Sequence, residues 1–277
     1  MPELPEVETL RRDLDKEVVG RRIRDVEVLG MRAIRRHPNK RHFVSKLEGR
    51  KLARVKRKGK YLLFSLEGDV LVAHLGMSGQ LLKATAREPR PPHTQVVMSF
   101  TQGGQLRYVD PRTFGELFVV AADRLDQDVP GIAGLGFDPV DDIMSWTAFG
   151  KLLMARAVRL KTLLMDQRFM AGVGNIYSDE ILWSAGLRYD RGSDSLSTQE
   201  LRRLYRALGE TLHEAIKHRG SSLADQQYRD LYGRPGSYQD QHKVYGQEGQ
   251  SCRRCRQPIV RVRRGGRSTF LCESCQV

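Results

Sequence analysis

The chain has 277 residues, and its 47 Lys and Arg outnumber its 33 Asp and Glu for a formal net charge of +14 at pH 7. A core of useful size and two globular parts rather than one follow from that length. With a mean hydropathy of −0.48 and no apolar run near the ~18 residues of a membrane span, a membrane protein is excluded.

The opening Met1-Pro2-Glu3-Leu4-Pro5-Glu6-Val7-Glu8 is acidic where a signal peptide is basic and then apolar, so a cytoplasmic address is expected. Proline after Met1 favours removal of the initiator and would expose Pro2 as a secondary amine. An α-amino group titrates near ~7.7 to 8.0, against ~10.4 for lysine, so part of it is nucleophilic at neutral pH. Such an amine can form an iminium with a sugar aldehyde carbon, and Glu3 and Glu6 are placed to move protons. The plain alternative is an ordinary helix cap. Val7, Leu10, Leu14 and Val18 recur at three and four, which predicts a helix from Pro5 to Gly20.

From Arg32 to Lys60 thirteen Lys or Arg face one acid, Glu48. From Lys243 to Val277 eight bases face two acids. One such run reads equally well as a solvated face; two in one globular chain point to a polyanion, a nucleic acid first. Between them, Tyr61-Leu62-Leu63-Phe64, Val70-Leu71-Val72 and Val96-Val97-Met98-Ser99-Phe100 are β-rich segments, with turns at Glu67-Gly68-Asp69 and Gly103-Gly104. They predict an antiparallel sandwich. Gly76-Met77-Ser78-Gly79 and Asp110-Pro111-Arg112-Thr113-Phe114-Gly115 put Met and Phe at loop tips, where they either pack inward or insert into a partner. In a DNA-binding protein such a wedge, with an arginine beside it, can fill the gap left by an extruded nucleotide.

Residues 123–142, with Pro130-Gly131, Gly134, Gly136 and Pro139, are expected to be a linker. Gly172-Val173-Gly174-Asn175 predicts a tight turn before an amphipathic helix whose exposed amides suit phosphate. A plain packing turn reads as well from Gly-x-Gly alone. The capping box Ser197-Thr198-Gln199-Glu200 opens a helix running toward Gly220. The polar residues from Ser221 to Tyr245 are expected to form a long mobile functional loop. Cys252-Arg253-Arg254-Cys255 and, sixteen residues on, Cys272-Glu273-Ser274-Cys275 supply four thiolates with zinc-ribbon spacing. One structural zinc is expected, since a closed four-sulfur shell leaves no place for water. Gly265-Gly266 turns the intervening hairpin and would present Arg261, Arg263, Arg264 and Arg267.

Together with that zinc ribbon, Pro2-Glu3-Leu4-Pro5-Glu6-Val7-Glu8-Thr9, Gly59-Lys60-Tyr61-Leu62-Leu63, His74-Leu75-Gly76-Met77-Ser78-Gly79, Asp110-Pro111-Arg112, Leu164-Met165-Asp166-Gln167 and Gly172-Val173-Gly174-Asn175-Ile176-Tyr177 resemble the bacterial formamidopyrimidine-DNA glycosylases from residue 2 to 275. The resemblance implies an α+β multidomain fold: an N-terminal antiparallel β-sandwich with its helix (1–122), the linker, a helical helix-two-turn-helix domain (143–245) carrying a lesion-capping loop near 221–241, and a zinc finger (246–277). It implies a bifunctional glycosylase and abasic-site lyase of base excision repair, monomeric, acting on oxidised purines in damaged double-stranded DNA. Pro2 would be the catalytic amine, Glu3 its acid and Lys60 the essential lysine. Met77, Arg112 and Phe114 would fill the void, with His74, Lys161, Asn175 and Arg267 meeting DNA and Cys252, Cys255, Cys272 and Cys275 holding zinc.

Arg112-Thr113 and His93-Thr94-Gln95 depart from the Arg-Arg and His-Asp-His that members often carry, away from the expected chemistry. The related endonuclease VIII branch usually has glycine where this chain has Leu4. A noncatalytic DNA-binding protein is the rival of another class; it would hold abasic DNA without cutting it.

Overall fold

The computed structural model describes residues 1–225 and 227–277. Contacts divide the chain into two compact units: Met1–Gly134 with His218–Ser237, and Leu135–Lys217 with Tyr238–Val277.

In the first unit, helix α1 (Leu4–Glu17) starts on a capping box in which the Glu3 amide donates to Glu6 Oε2 at 2.7 Å. Leu4, Val7, Leu10 and Leu14 are fully buried, as their spacing predicts, and the chain turns away at Gly20 with φ +85°. Eight strands follow: β1 (Ile23–Val28), then, after the short helix α2 (Lys40–Ser45), β2 (Arg54–Lys58), β3 (Tyr61–Ser65), β4 (Asp69–His74), β5 (Gln80–Ala84), β6 (Thr94–Phe100), β7 (Gln105–Val109) and β8 (Glu116–Ala121). They form two antiparallel four-stranded sheets, in the orders β1-β6-β7-β5 and β2-β3-β4-β8. Val26, Val96, Met98 and Leu106 of one sheet, Leu62, Phe64, Leu71 and Leu117 of the other, and Leu10 and Leu14 of α1 share one core. This is the expected sandwich with its N-terminal helix.

Two parts of the expected organisation change. The second sheet is apolar on its outer face too, where Leu63, Val72 and Phe118 need cover. Short helices α3 (Leu125–Asp128) and α4 (Pro130–Ala133) supply it through buried Val129 and Ile132, so the first part of the expected linker is folded structure. Residues 221–245 are expected as a mobile loop of the helical domain, but His218–Ser237 groups with the first unit. Tyr228 and Leu231 enter its core, and Arg219 pairs with Asp13 of α1 and with Asp230. Gln226 of this segment lies outside the described residues.

The second unit contains α5 (Trp146–Met154), α6 (Leu160–Met165), α7 (Asn175–Ala185) and α8 (Thr198–Lys217), then the hairpin β9 (Val260–Arg264) and β10 (Arg267–Leu271). The α8 capping box forms as read: the Ser197 amide donates to Glu200 Oε2 at 2.8 Å, and the Glu200 amide donates to Ser197 Oγ at 3.3 Å. Helix α7 is not amphipathic. It is buried from Ile176 to Trp183, polar Asp179 and Glu180 included. Glu180 accepts the amides of Lys243, Val244 and Tyr245 at 2.9 to 3.0 Å, so a buried carboxylate fastens the chain that leads to the finger. Among the described residues no helix is long and apolar enough to cross a membrane.

Candidate functional site

In the first unit the expected catalytic residues stand at the head of α1 and in the β2–β3 turn. Pro2 and Glu3 are buried, and Met1 ahead of them is 49% exposed. Glu3 is the N-cap of α1, where the positive end of the helix dipole favours a carboxylate. Glu6, expected as a second proton carrier, is otherwise engaged: one oxygen takes the Glu3 amide and the other accepts the Ser221 amide at 2.7 Å. It joins the start of α1 to the segment expected to cap a lesion. Gly220 at φ +78° lies so close that a Cβ there would meet Glu6 Oε1 at 2.6 Å.

Lys60 follows Gly59, whose φ of +56° makes the tight turn between β2 and β3. That turn is held to α1 by a residue sequence reading missed. Arg57, inside the basic run, is buried; its Nε donates to Glu8 Oε2 at 3.1 Å and its Nη1 donates to Gly59 O at 3.2 Å. Burial opposes a charge on Glu8, but hydrogen bonds from Arg11 and Arg12 and the charges of Arg11 and Arg57 outweigh it and hold the carboxyl at about 2. The only local signal was Glu8 with arginines three and four residues on. Arg57 carried none.

His74 ends β4, paired in register with Tyr61 and Glu116 and with its ring 4.8 Å from the Tyr61 ring. Burial chiefly, with Lys60, Arg35 and Arg36 opposing Glu116, drives its pKa down to about 4. It is therefore a neutral hydrogen-bonding group at pH 7, not a cation.

The two loop tips point outward, against the packing alternative. Met77 is 39% and Phe114 46% exposed, and the Arg112 guanidinium lies 5.0 Å from the Phe114 ring centroid. The loops touch through their backbones: a Cβ on Gly76 would lie 2.5 Å from Gly115 N and 2.6 Å from Phe114 C. Met77, Arg112 and Phe114 thus come together.

In the second unit Asn175 is the first residue of α7, and Asn175 Nδ2 donates to Ser268 O of the hairpin at 3.1 Å. Arg267 is exposed at the start of β10, after Gly265 and Gly266 turn with φ of +55° and +75°. Lys161 departs from expectation. It is 6% exposed, its Nζ is 2.7 Å from Asp179 Oδ1, and it donates to Thr269 Oγ1 at 2.8 Å. A lysine so buried is stable only with such partners; it ties α6, α7 and the hairpin together instead of facing solvent. Arg159, Arg264 and Arg267 line, with Asp166 and Tyr189 and over the buried Lys161, a recess of about 300 Å³.

The four cysteine sulfurs lie within 4.8 Å of one another, with Cys252 to Cys275 at 3.8 Å and Cys255 to Cys272 at 3.4 Å. A tetrahedron with Zn–S bonds of ~2.3 Å has edges of ~3.8 Å. The four residues therefore fit one structural zinc, which closes the base of the hairpin without an open coordination position.

Comparison with known proteins agrees with this architecture along the whole chain. Residues 1–117 match the formamidopyrimidine-DNA glycosylase N-terminal domain, residues 135–227 the formamidopyrimidine-DNA glycosylase H2TH domain, and residues 249–277 the zinc finger found in FPG and IleRS. The formamidopyrimidine-DNA glycosylase of Thermus thermophilus is 44% identical over 277 residues, covering 100% of this chain and 98% of that protein. That of Pelotomaculum thermopropionicum is 41% identical, covering 100% and 99%. Among solved structures, the MutM (Fpg) protein of Thermus thermophilus superposes with a TM-score of 0.87 at 43% identity, covering 99% of this chain and 98% of its own. Lactococcus lactis Fpg in complex with DNA containing an abasic site superposes with a TM-score of 0.90 at 33% identity, covering 99% of each chain. Fold, zinc centre and full-length similarity agree, and the chain belongs to the formamidopyrimidine-DNA glycosylase family.

Proposed function

We propose that the chain is a monomeric cytoplasmic enzyme of base excision repair that removes 8-oxoguanine and formamidopyrimidines from double-stranded DNA and then cuts the strand. The observation that carries this reading is the head of α1, where Pro2 directly precedes a buried carboxylate, Glu3, at the helix N-terminus. With Met1 removed, the Pro2 nitrogen attacks C1′ of the extruded nucleotide. The damaged base departs with the glycosidic electron pair and takes up the proton that the Pro2 nitrogen releases, while Glu3 gives a proton to the sugar oxygen as its ring opens to the iminium. The resulting iminium acidifies C2′–H, so β-elimination expels the 3′ phosphate and δ-elimination the 5′ phosphate. Lys60 remains an ammonium that positions the lesion's phosphate and offsets developing negative charge.

Met77, Arg112 and Phe114 occupy the gap in the duplex, offsetting the loss of stacking. His74, Asn175 and Arg267 meet the backbone, while Lys161 holds the scaffold of the last two. The segment from Ser221 closes over the flipped base from its anchor on Glu6. The decisive experiment is borohydride reduction on abasic-site DNA, with the covalent adduct mapped by mass spectrometry. Attachment at residue 2, lost together with incision when a tag blocks the N-terminus, is the expected result. An adduct at Lys60, or full incision by the tagged chain, overturns it. Parallel incision of 8-oxoguanine and oxidised-pyrimidine duplexes separates this reading from an endonuclease VIII specificity.

A further inference from the structure

Exposed apolar side chains on loop tips have no packing to hold them, so a wedge made of them needs its rigidity from below. Arg35 holds the Phe114 loop from one side, donating to the Gly115 and Phe114 carbonyls at 2.8 and 3.4 Å, and beneath both loops lies one carboxylate. Asp110 is 1% exposed and accepts four hydrogen bonds. Oδ1 takes Ser78 Oγ–H at 2.6 Å and the Arg112 amide at 3.3 Å; Oδ2 takes the Gly115 amide at 2.9 Å and the Tyr108 hydroxyl at 3.1 Å. Ser78 follows Met77 in one loop, while the Arg112 and Gly115 amides bracket Phe114 in the other. The same carboxylate therefore fixes both loops. The backbone around it allows little else: a Cβ on Gly115 would fall 2.0 Å from the Tyr108 hydroxyl oxygen, one on Gly79 2.9 Å from it, and Thr113 stands at φ +53°, a conformation a β-branched residue adopts only when held.

We propose that Asp110 is the positioning residue that makes Met77, Arg112 and Phe114 one preassembled wedge, so that duplex opening proceeds without first ordering two loops. It touches no DNA and no reacting atom. Its contribution is preorganisation: side chains ordered before binding lose less freedom on binding. A charged acceptor suits the task, since hydrogen bonds to an ionised group are shorter and stronger than neutral ones. Asparagine cannot replace it fully, because its amide would turn a donor toward the Gly115 amide or the Ser78 and Arg112 donors.

The inference rests on the glycosylase reading above, and the experiment separates the two. Wild type, Asp110→Asn, Ser78→Ala and Met77→Ala/Phe114→Ala are compared in single turnover on two DNAs: 8-oxoguanine paired with cytosine in a duplex, and a preformed abasic site opposite a gap, where nothing has to be unstacked. Asp110→Asn is expected to slow excision from the paired duplex roughly tenfold or more while leaving abasic-site cleavage within about twofold of wild type. Ser78→Ala, which removes one arm of the clamp, should move in the same direction by less. Added to Met77→Ala/Phe114→Ala, Asp110→Asn should cost almost nothing further, the non-additivity expected of a residue acting through the other two. Fluorescence of 2-aminopurine opposite the lesion follows the opening step directly and should slow in parallel. An equal loss on both DNAs, no loss on either, or a full additive loss in the combined variant overturns the proposal. If Asp110→Asn does not fold, the Ser78→Ala comparison decides by the same criteria. Absence of abasic-site cleavage by wild type would instead refute the glycosylase and lyase reading, whatever Asp110 does.

Discussion

Glu8→Gln tests whether a buried ion-pair network beneath the catalytic turn stabilises the first unit. The substitution keeps shape and one acceptor oxygen but removes the charge that faces Arg11 at 2.9 Å, Arg12 at 2.8 Å and Arg57 at 3.1 Å. Arg11 and Arg12 are on the rim, whereas the Arg57 side chain is fully buried and would lose the Glu8 charge beside it. Two estimates of the loss agree. Lowering a carboxyl from 4.5 to about 2 corresponds to about 3 kcal/mol of preference for the folded, ionised state, and removing one member of a buried pair costs about 3–5 kcal/mol. Because the folded-state pKa is the lower one, this stability is fully present above pH 4.5 and is lost as pH falls toward 2. Urea unfolding at pH 7 should therefore show Glu8→Gln about 3 kcal/mol less stable, with a flatter acid limb between pH 4.5 and 2. Glu8→Gln/Arg57→Met, which replaces both members of the buried pair, should recover part of the loss. Since Arg57 also donates to Gly59 O beside Lys60, incision should fall in Glu8→Gln even where the protein remains folded. A difference under about 1 kcal/mol at pH 7, or an unchanged acid limb, would show that the network is solvated and the reasoning wrong.

DNA affinity should fall with log salt at a slope of roughly −5, and Arg267→Ala should reduce the magnitude by about one in fluorescence-anisotropy titrations. Cys272→Ser should lose the single equivalent of zinc measured by elemental analysis and at least about tenfold in DNA affinity, because the hairpin loses its closure; active protein without zinc would contradict the structural role. Gly76→Ala, which places a methyl group against Gly115 N and Phe114 C at φ +60°, should cost about 1–3 kcal/mol in thermal unfolding and impair excision more than abasic-site cleavage. Burial first, aided at His37 by His42 and Lys46, takes both His37 and His74 to about 4. Unfolded histidines protonate near 6.5, so stability should decline as pH falls from 6.5 to 4; NMR titration of either ring with a midpoint near 6.5 would refute this.

The features legible in the sequence were those written in local spacing. The α1 stripe, the Ser197–Glu200 capping box, the Gly265-Gly266 turn and the paired Cys-x-x-Cys motifs each need only neighbours a few residues away, so periodicity and turn chemistry determine them. The order of motifs along the chain likewise carried the family resemblance from one end to the other. What the tertiary structure alone decided is where charge can be buried. Arg57 looks in sequence like a member of a basic surface run and Lys161 is expected to meet DNA, yet each lies in the interior because Asp179, 18 residues beyond Lys161, and Glu8, 49 residues before Arg57, are brought beside them. An ionised group leaves water only when a folded partner replaces its hydration, and one-dimensional patterning does not show that partner. The same limit hid the cover on the second sheet's outer face, the grouping of residues 218–237 with the first unit, and the convergence of Ser78, Tyr108, Arg112 and Gly115 on Asp110, all of which depend on surfaces that exist only after the strands have paired.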